Sequence, residues 1–97
     1  MEKLRFSWDD KKAKQNLIKH KVSFEEAVTV FLDENAVEFF DIDHTSDEDR
    51  FIMLGISHRL RILVVSHCLR KNGLEIRIIS ARKATKKEHK NYTERKL

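Results

Sequence analysis

Proline is absent from this sequence, and its 97 residues include only two glycines, one cysteine and one tryptophan. With Gly55 and Gly73 alone, no glycine-rich phosphate loop can be written, which excludes the common nucleotide-binding folds. A lone cysteine, Cys68, cannot close an internal disulfide, and its apolar setting in LVVSHCL suits a buried thiol. No apolar run approaches the ~20 residues of a membrane span, and MEKLRFSWDD lacks the apolar segment of a signal peptide. A soluble, cytoplasmic protein without a membrane partner is therefore expected. Metal-binding signatures are missing too. Asp41-Ile42-Asp43 opens like a calcium loop, but Ser46 stands at its sixth position and Ile52 at its twelfth, where glycine and glutamate are needed. His44, His58 and His67 have neither zinc-site spacing nor a helical H-E-x-x-H, and read as polar surface or turn residues. Neither a metal nor another cofactor is expected.

What the chain does have is charge, unevenly placed. Hydrophobic residues make up 40% and charged residues 37%, enough apolar content to exclude a disordered polymer and enough length for one domain over residues 1–97. The formal charge of +4 conceals a division: residues 33–50 hold eight acids and one base, residues 77–97 eight bases and two acids. A basic end of this kind favours polyanions, of which nucleic acid is the commonest in the cytoplasm; a solvated basic tail balanced by a solvated acidic loop reads equally well.

Periodicity outlines an α+β fold. Leu4, Phe6 and Trp8 alternate as an edge strand, and helix formers run from Asp10 to His20 with Ala13 and Leu17 four apart. Ser23 and Glu26 in SFEE have capping-box spacing, with Val22 and Ala27 placed as a hydrophobic staple, and Phe24, Ala27, Val28 and Phe31 give the second helix one apolar face. Val37 to Ile42 reads as a strand, residues 41–50 as a polar connection, and residues 51–57, 60–69 and 74–81 as an antiparallel meander. Thr85 and Glu88 repeat the capping-box spacing, predicting a third helix from Lys86 to about Arg95 anchored by Tyr92. Two N-terminal helices and a C-terminal helix on an antiparallel sheet of four to five strands is the expected architecture.

IRIISARKATKKE, residues 76–88, is divided between core and charge. Arg61 and Arg77 fall among apolar neighbours, where a cation needs a partner, a wet face or a function. A two-residue turn at Asn72-Gly73 would set Arg77 opposite Cys68, on a face with Ser66, Glu75 and Ile79. The same register would bring Arg82 near Leu63 and Arg61. Planar guanidinium groups suit phosphate, whereas pairing with acids is the structural alternative.

FSWDDKKAKQNLIKHKVSFEEAVTVF, the later GIS and LRILVVS, and IRIISARKATKKEHKNY together resemble the BrnT family of bacterial toxins, from Phe6 to Tyr92. The resemblance implies a RelE-like fold and a ribonuclease that halts translation as the toxin of a type II toxin-antitoxin module. It implies a BrnA-like antitoxin with a ribbon-helix-helix domain, operator DNA bound only through the antitoxin complex, and RNA, free or ribosome-bound, as substrate. Arg77, Arg82, Arg61, His20 and Lys19 are carried over as catalytic candidates. The chemistry needs no metal: the arginines would bind the scissile phosphate, and His20 or Lys19 would exchange a proton, unless His20 serves only as a helix-terminal charge. Lys83, Lys86, Lys87 and Lys90 would attract RNA irrespective of sequence. The rival class is a non-catalytic basic module that binds an acidic partner or nucleic acid.

Overall fold

The structure is a computed structural model and describes residues 3–42 and 49–94. Its elements are β1 (Arg5–Ser7), α1 (Asp10–His20), α2 (Phe24–Thr29) prolonged by a 3-10 turn (Val30–Leu32), β2 (Val37–Phe40), β3 (Arg50–Ile56), β4 (Ile62–Arg70), β5 (Glu75–Lys83) and α3 (Lys86–Glu94). One sheet carries all five strands in the order β1-β5-β4-β3-β2. The meander is antiparallel as expected, and β1 joins β5 in parallel, so the sheet is mixed. The parallel edge follows from connectivity: α1 and α2 intervene between β1 and the meander, giving the chain the length that a parallel crossover needs. The polar connection read over residues 41–50 and the rejected calcium loop fall mostly on residues 43–48, outside the described residues.

Alternation divides the sheet into two faces. Leu63, Val65, Ile76, Ile78 and Ala81 point to one side, where they bury Val22, Phe24, Ala27 and Val30 of the helical layer. Trp8 meets Phe24 edge-on at a centroid distance of 5.9 Å, which ties the strand-to-helix junction into this core. Gly55 lies on the same side, and a Cβ there would stand 2.9 Å from both Ala36 Cβ and Val30 Cγ1, so the 3-10 turn packs directly on the β3 backbone. His67, read from sequence as a surface residue, is fully buried on this face. It sits between the rings of Phe31 and Phe51 with Nε2 2.9 Å from Glu38 Oε2, because the alternation of β4 turns position 67 inward.

Side-chain bonds to backbone fix the helices. Asp9 caps α1 by accepting from the Lys12 N–H at 3.1 Å. Thr85 and Glu88 form a complete capping box, with Thr85 N–H to Glu88 Oε1 at 2.8 Å and Glu88 N–H to Thr85 Oγ1 at 3.1 Å. Ser23 accepts from the Glu26 N–H at 3.0 Å, but the Glu26 carboxylate turns inward instead of returning to the cap. Asn16 does the work of a missing strand. β1 pairs with β5 only at Glu75, Ile76 and Arg77, which leaves the backbone edge of β5 open beyond that point. Asn16 closes it, donating to Ala81 O at 2.8 Å and accepting from the Ala81 N–H at 3.1 Å, and also donates to Val22 O at 2.9 Å.

Candidate nucleic-acid interface

The basic residues of β5 are aimed by one irregularity. Ser66 pairs with Ser80 and His67 with Ile78, so Ile79 has no opposite number. Arg77 and Arg82, five residues apart, would point to opposite sides of a regular strand. The bulge returns both to the face away from α1 and α2, since their neighbours Ile78 and Ala81 both point into the core. Arg77 stands opposite Cys68, as the turn at Asn72-Gly73 implied. Past the bulge the register slips: Arg82 pairs with Val64, and Lys83 takes the place opposite Leu63. The expected gathering of Arg82 with Arg61 at Leu63 is thereby corrected.

Across the sheet, Arg50 of β3, Cys68 of β4, Arg77 of β5 and Ser7 of β1 stand in one row. The next rows on this face hold Ser66 and Ser80 on one side and Arg70, Glu75 and Arg5 on the other. Arg50 lies at the end of the acid-rich stretch 33–50 with nothing to mark it, since only register brings it into line with Arg77.

The arginines differ sharply in their partners. Arg61 forms a two-pronged ion pair with Glu26: Nε donates to Oε2 at 2.9 Å and Nη2 donates to Oε1, while Nη2 also donates to Lys21 O at 3.0 Å. Glu26 is 2% exposed and also accepts from Ser57 Oγ at 2.7 Å. Its bonds to Arg61, and secondarily to Ser57, hold its carboxyl below the usual range, and the same pairing raises Arg61. Arg82 forks onto Glu88, with Nη1 to Oε1 at 2.7 Å and Nη2 to Oε2 at 2.9 Å. That contact, with help from the Thr85 N–H, lowers Glu88 to about 2. Arg77 is half-buried and has no carboxylate within 4.0 Å among the described residues. Its field contributes in a small way to lowering Asp9, whose carboxyl is depressed chiefly by the Lys12 N–H.

The five catalytic candidates thus occupy three places. Arg77 lies on the sheet face away from α1 and α2, its field reaching Asp9 at the N-terminal end of α1, and Arg82 is tied to the start of α3. Arg61 reaches the C-terminal end of α1, where Lys19 is exposed and His20 half-buried. The 11 residues of α1 separate its two ends by about 16 Å, too far for one phosphate to touch both. Lys83, Lys86, Lys87 and Lys90 are all exposed, at the end of β5 and along α3. Local pattern marks neither Asn16 nor Arg50, places Glu75 only as a neighbour on the Arg77 face, and marks Glu26 only as a cap residue. Their importance lies in contacts between separate segments, Asn16 with Ala81, Glu26 with Arg61 and Arg50 in register with Cys68, which leave no local signal.

Three helices on a five-stranded mixed sheet, with Arg50, Arg77 and Arg82 on the sheet face away from α1 and α2, define a small α+β protein. The model of a protein family, the ribonuclease toxin BrnT of type II toxin-antitoxin systems, matches residues 8–88, and the chain belongs to that family. Among solved structures it is similar to the 1.1 Å crystal structure of the Brucella abortus ribonuclease toxin BrnT, with a TM-score of 0.64 and 22% identity over 86% of this chain and 99% of that one. That likeness shows a shared fold. A comparison with curated proteins found no match.

Proposed function

We propose that this chain is an endoribonuclease toxin that acts in the cytoplasm, cleaves RNA without a metal ion and thereby inhibits translation. A BrnA-like ribbon-helix-helix antitoxin neutralises it, and operator DNA is bound only through that complex. Membership of the ribonuclease toxin family supports this reading. The observation that carries it is Arg77: a half-buried guanidinium without a carboxylate partner among the described residues, held by a strand on the sheet face away from α1 and α2.

In the proposed reaction the RNA 2′-oxygen attacks the adjacent phosphorus and the bond to the 5′-oxygen breaks. The products are a 2′,3′-cyclic phosphate and a 5′-hydroxyl, with one proton removed from the nucleophile and one delivered to the leaving group. Arg77 stabilises the charge that grows on the phosphoryl oxygens. Arg82, through Glu88, fixes α3, whose Lys86, Lys87 and Lys90, with Lys83, attract the backbone. Arg61 anchors the end of α1 that presents Lys19 and His20, which exchange protons only with RNA that reaches around to that end.

The test is cleavage of purified RNA in a chelator-containing buffer by wild type and Arg77→Ala, with and without excess antitoxin. Loss of one preorganised charge donor lowers the rate about 100-fold or more. A folded wild-type protein that cuts no RNA, free or in translating extract, defeats the enzymatic reading. Equal cutting by Arg77→Ala defeats the role given to that residue.

A further inference from the structure

Four arginines of the described chain are half-buried: Arg50, Arg61, Arg77 and Arg82. Two of them are satisfied by two-pronged contacts with a glutamate, Arg61 with Glu26 and Arg82 with Glu88. The other two, Arg50 and Arg77, have no carboxylate within 4.0 Å among the described residues. They are also the two that flank Cys68, one on each side of β4 in the same cross-strand row. Two strand spacings set their backbones about 10 Å apart, and both side chains rise from one face over a small residue. A charge withdrawn from water without a counter-charge is costly, so the fold keeps two such cations side by side where one anion can answer both.

We infer that Arg50 and Arg77 form a two-arginine clamp for a single phosphodiester of RNA, with Cys68 as the floor between them. Ser66 and Ser80, in the neighbouring row, offer hydroxyl donors to the same backbone. The clamp rests on the reading of this chain as an RNA-acting protein and adds to it the second half of the phosphate site, drawn from a distant part of the sequence. Arg50 is a binding residue here because its guanidinium touches the substrate.

The experiment measures binding of a short fluorescent 2′-O-methyl RNA, which cannot be cut because its nucleophile is blocked, by anisotropy over a range of salt concentrations. Arg50→Gln and Arg77→Gln each weaken binding about tenfold or more, and together they lower the slope of log affinity against log salt by about 0.7, the value for one neutralised phosphate on a single strand. The double variant falls below either single variant by less than about threefold, because both contacts end on one phosphate. Arg50→Lys keeps most of the salt slope but loses affinity, since an ammonium cannot fork onto phosphate. Lys14→Ala, exposed on α1, binds like wild type. An Arg50→Gln protein with a wild-type thermal transition and wild-type affinity overturns the clamp, and so do losses that simply add in the double variant. A wild-type protein that binds through both arginines yet cuts no cleavable RNA upholds the clamp while removing the enzymatic reading.

Discussion

Replacing Glu26 by alanine should cost this fold more than any surface change. The carboxylate is 2% exposed and receives Arg61 through two nitrogens, Ser57 through its hydroxyl, and Arg59 at 3.8 Å. Its removal leaves the Arg61 side chain, 22% exposed, without its counter-charge and the Ser57 hydroxyl without its acceptor. Breaking a buried ion pair from one side costs about 3–5 kcal/mol, and the partial access of water to Arg61 argues for about 3. For a domain of this size that is a fall in Tm of about 12–24 °C, a large share of a total stability of about 5–15 kcal/mol. Arg61→Ala strands the carboxylate instead and should cost at least as much. Glu26→Leu with Arg61→Met removes both charges and should recover much of the loss, because paired hydrophobic replacements avoid stranding either ion. Urea unfolding followed by circular dichroism gives all four stabilities. The pH dependence supplies a second check. Glu26 is depressed in the folded state, so its contribution is complete above the unfolded carboxyl value of about 4.3 and disappears as pH falls through the folded one. Wild type should lose stability on acidification more steeply than Glu26→Gln. A Glu26→Ala protein within about 1 kcal/mol of wild type, or a double-variant cycle showing additive losses, would refute the argument.

Asn16→Ala leaves the Ala81 N–H and C=O without partners on the open edge of β5 and should cost about 2–3 kcal/mol, read from urea midpoints. Asn16→Asp, which keeps the acceptor but sets a buried carboxylate oxygen against the Val22 and Ala81 carbonyls, should cost at least as much at neutral pH. Glu88→Gln weakens the fork to Arg82, and with both side chains partly exposed the loss should be about 1 kcal/mol or less, seen as faster amide exchange along α3. Since Glu88 is lowered to about 2, the pair's contribution persists from neutral pH down to about 4 and is lost as pH falls through about 2; the α3 amides should report that loss in wild type and not in the variant. Arg77→Ala should cut RNA about 100-fold more slowly while its Tm stays within a few degrees of wild type, since no ion pair among the described residues depends on it.

Local pattern carried most of the secondary structure. The helix over residues 10–20 was written in its composition and in Asp9 and Lys21 at its ends, and α3 in the Thr85 and Glu88 spacing, because caps are satisfied by residues three or four apart. The meander was legible because β-branched runs are separated by turn residues, among them Lys71, Asn72 and Gly73, which all take positive φ. By contrast, the capping box at Ser23 was only half formed. Glu26 had a stronger offer from Arg61, 35 residues away, than from the N–H of its own cap, and no local rule anticipates a competitor so distant.

The same limit applies to the basic residues. The sequence alone determined that the chain is rich in cations toward its end, that two arginines interrupt β5, and which family it resembles. Composition, spacing and motif order are properties of the linear chain. Only the tertiary structure decided which of the half-buried arginines meet a carboxylate among the described residues. Strand register placed Arg50 in line with Arg77, the bulge at Ile79 turned Arg82 to the same face, and the folds of α2 and α3 delivered Glu26 to Arg61 and Glu88 to Arg82. Whether a guanidinium serves as structural ion or as phosphate ligand depends on whether a carboxylate comes within hydrogen-bonding reach, and that is settled by distances in space.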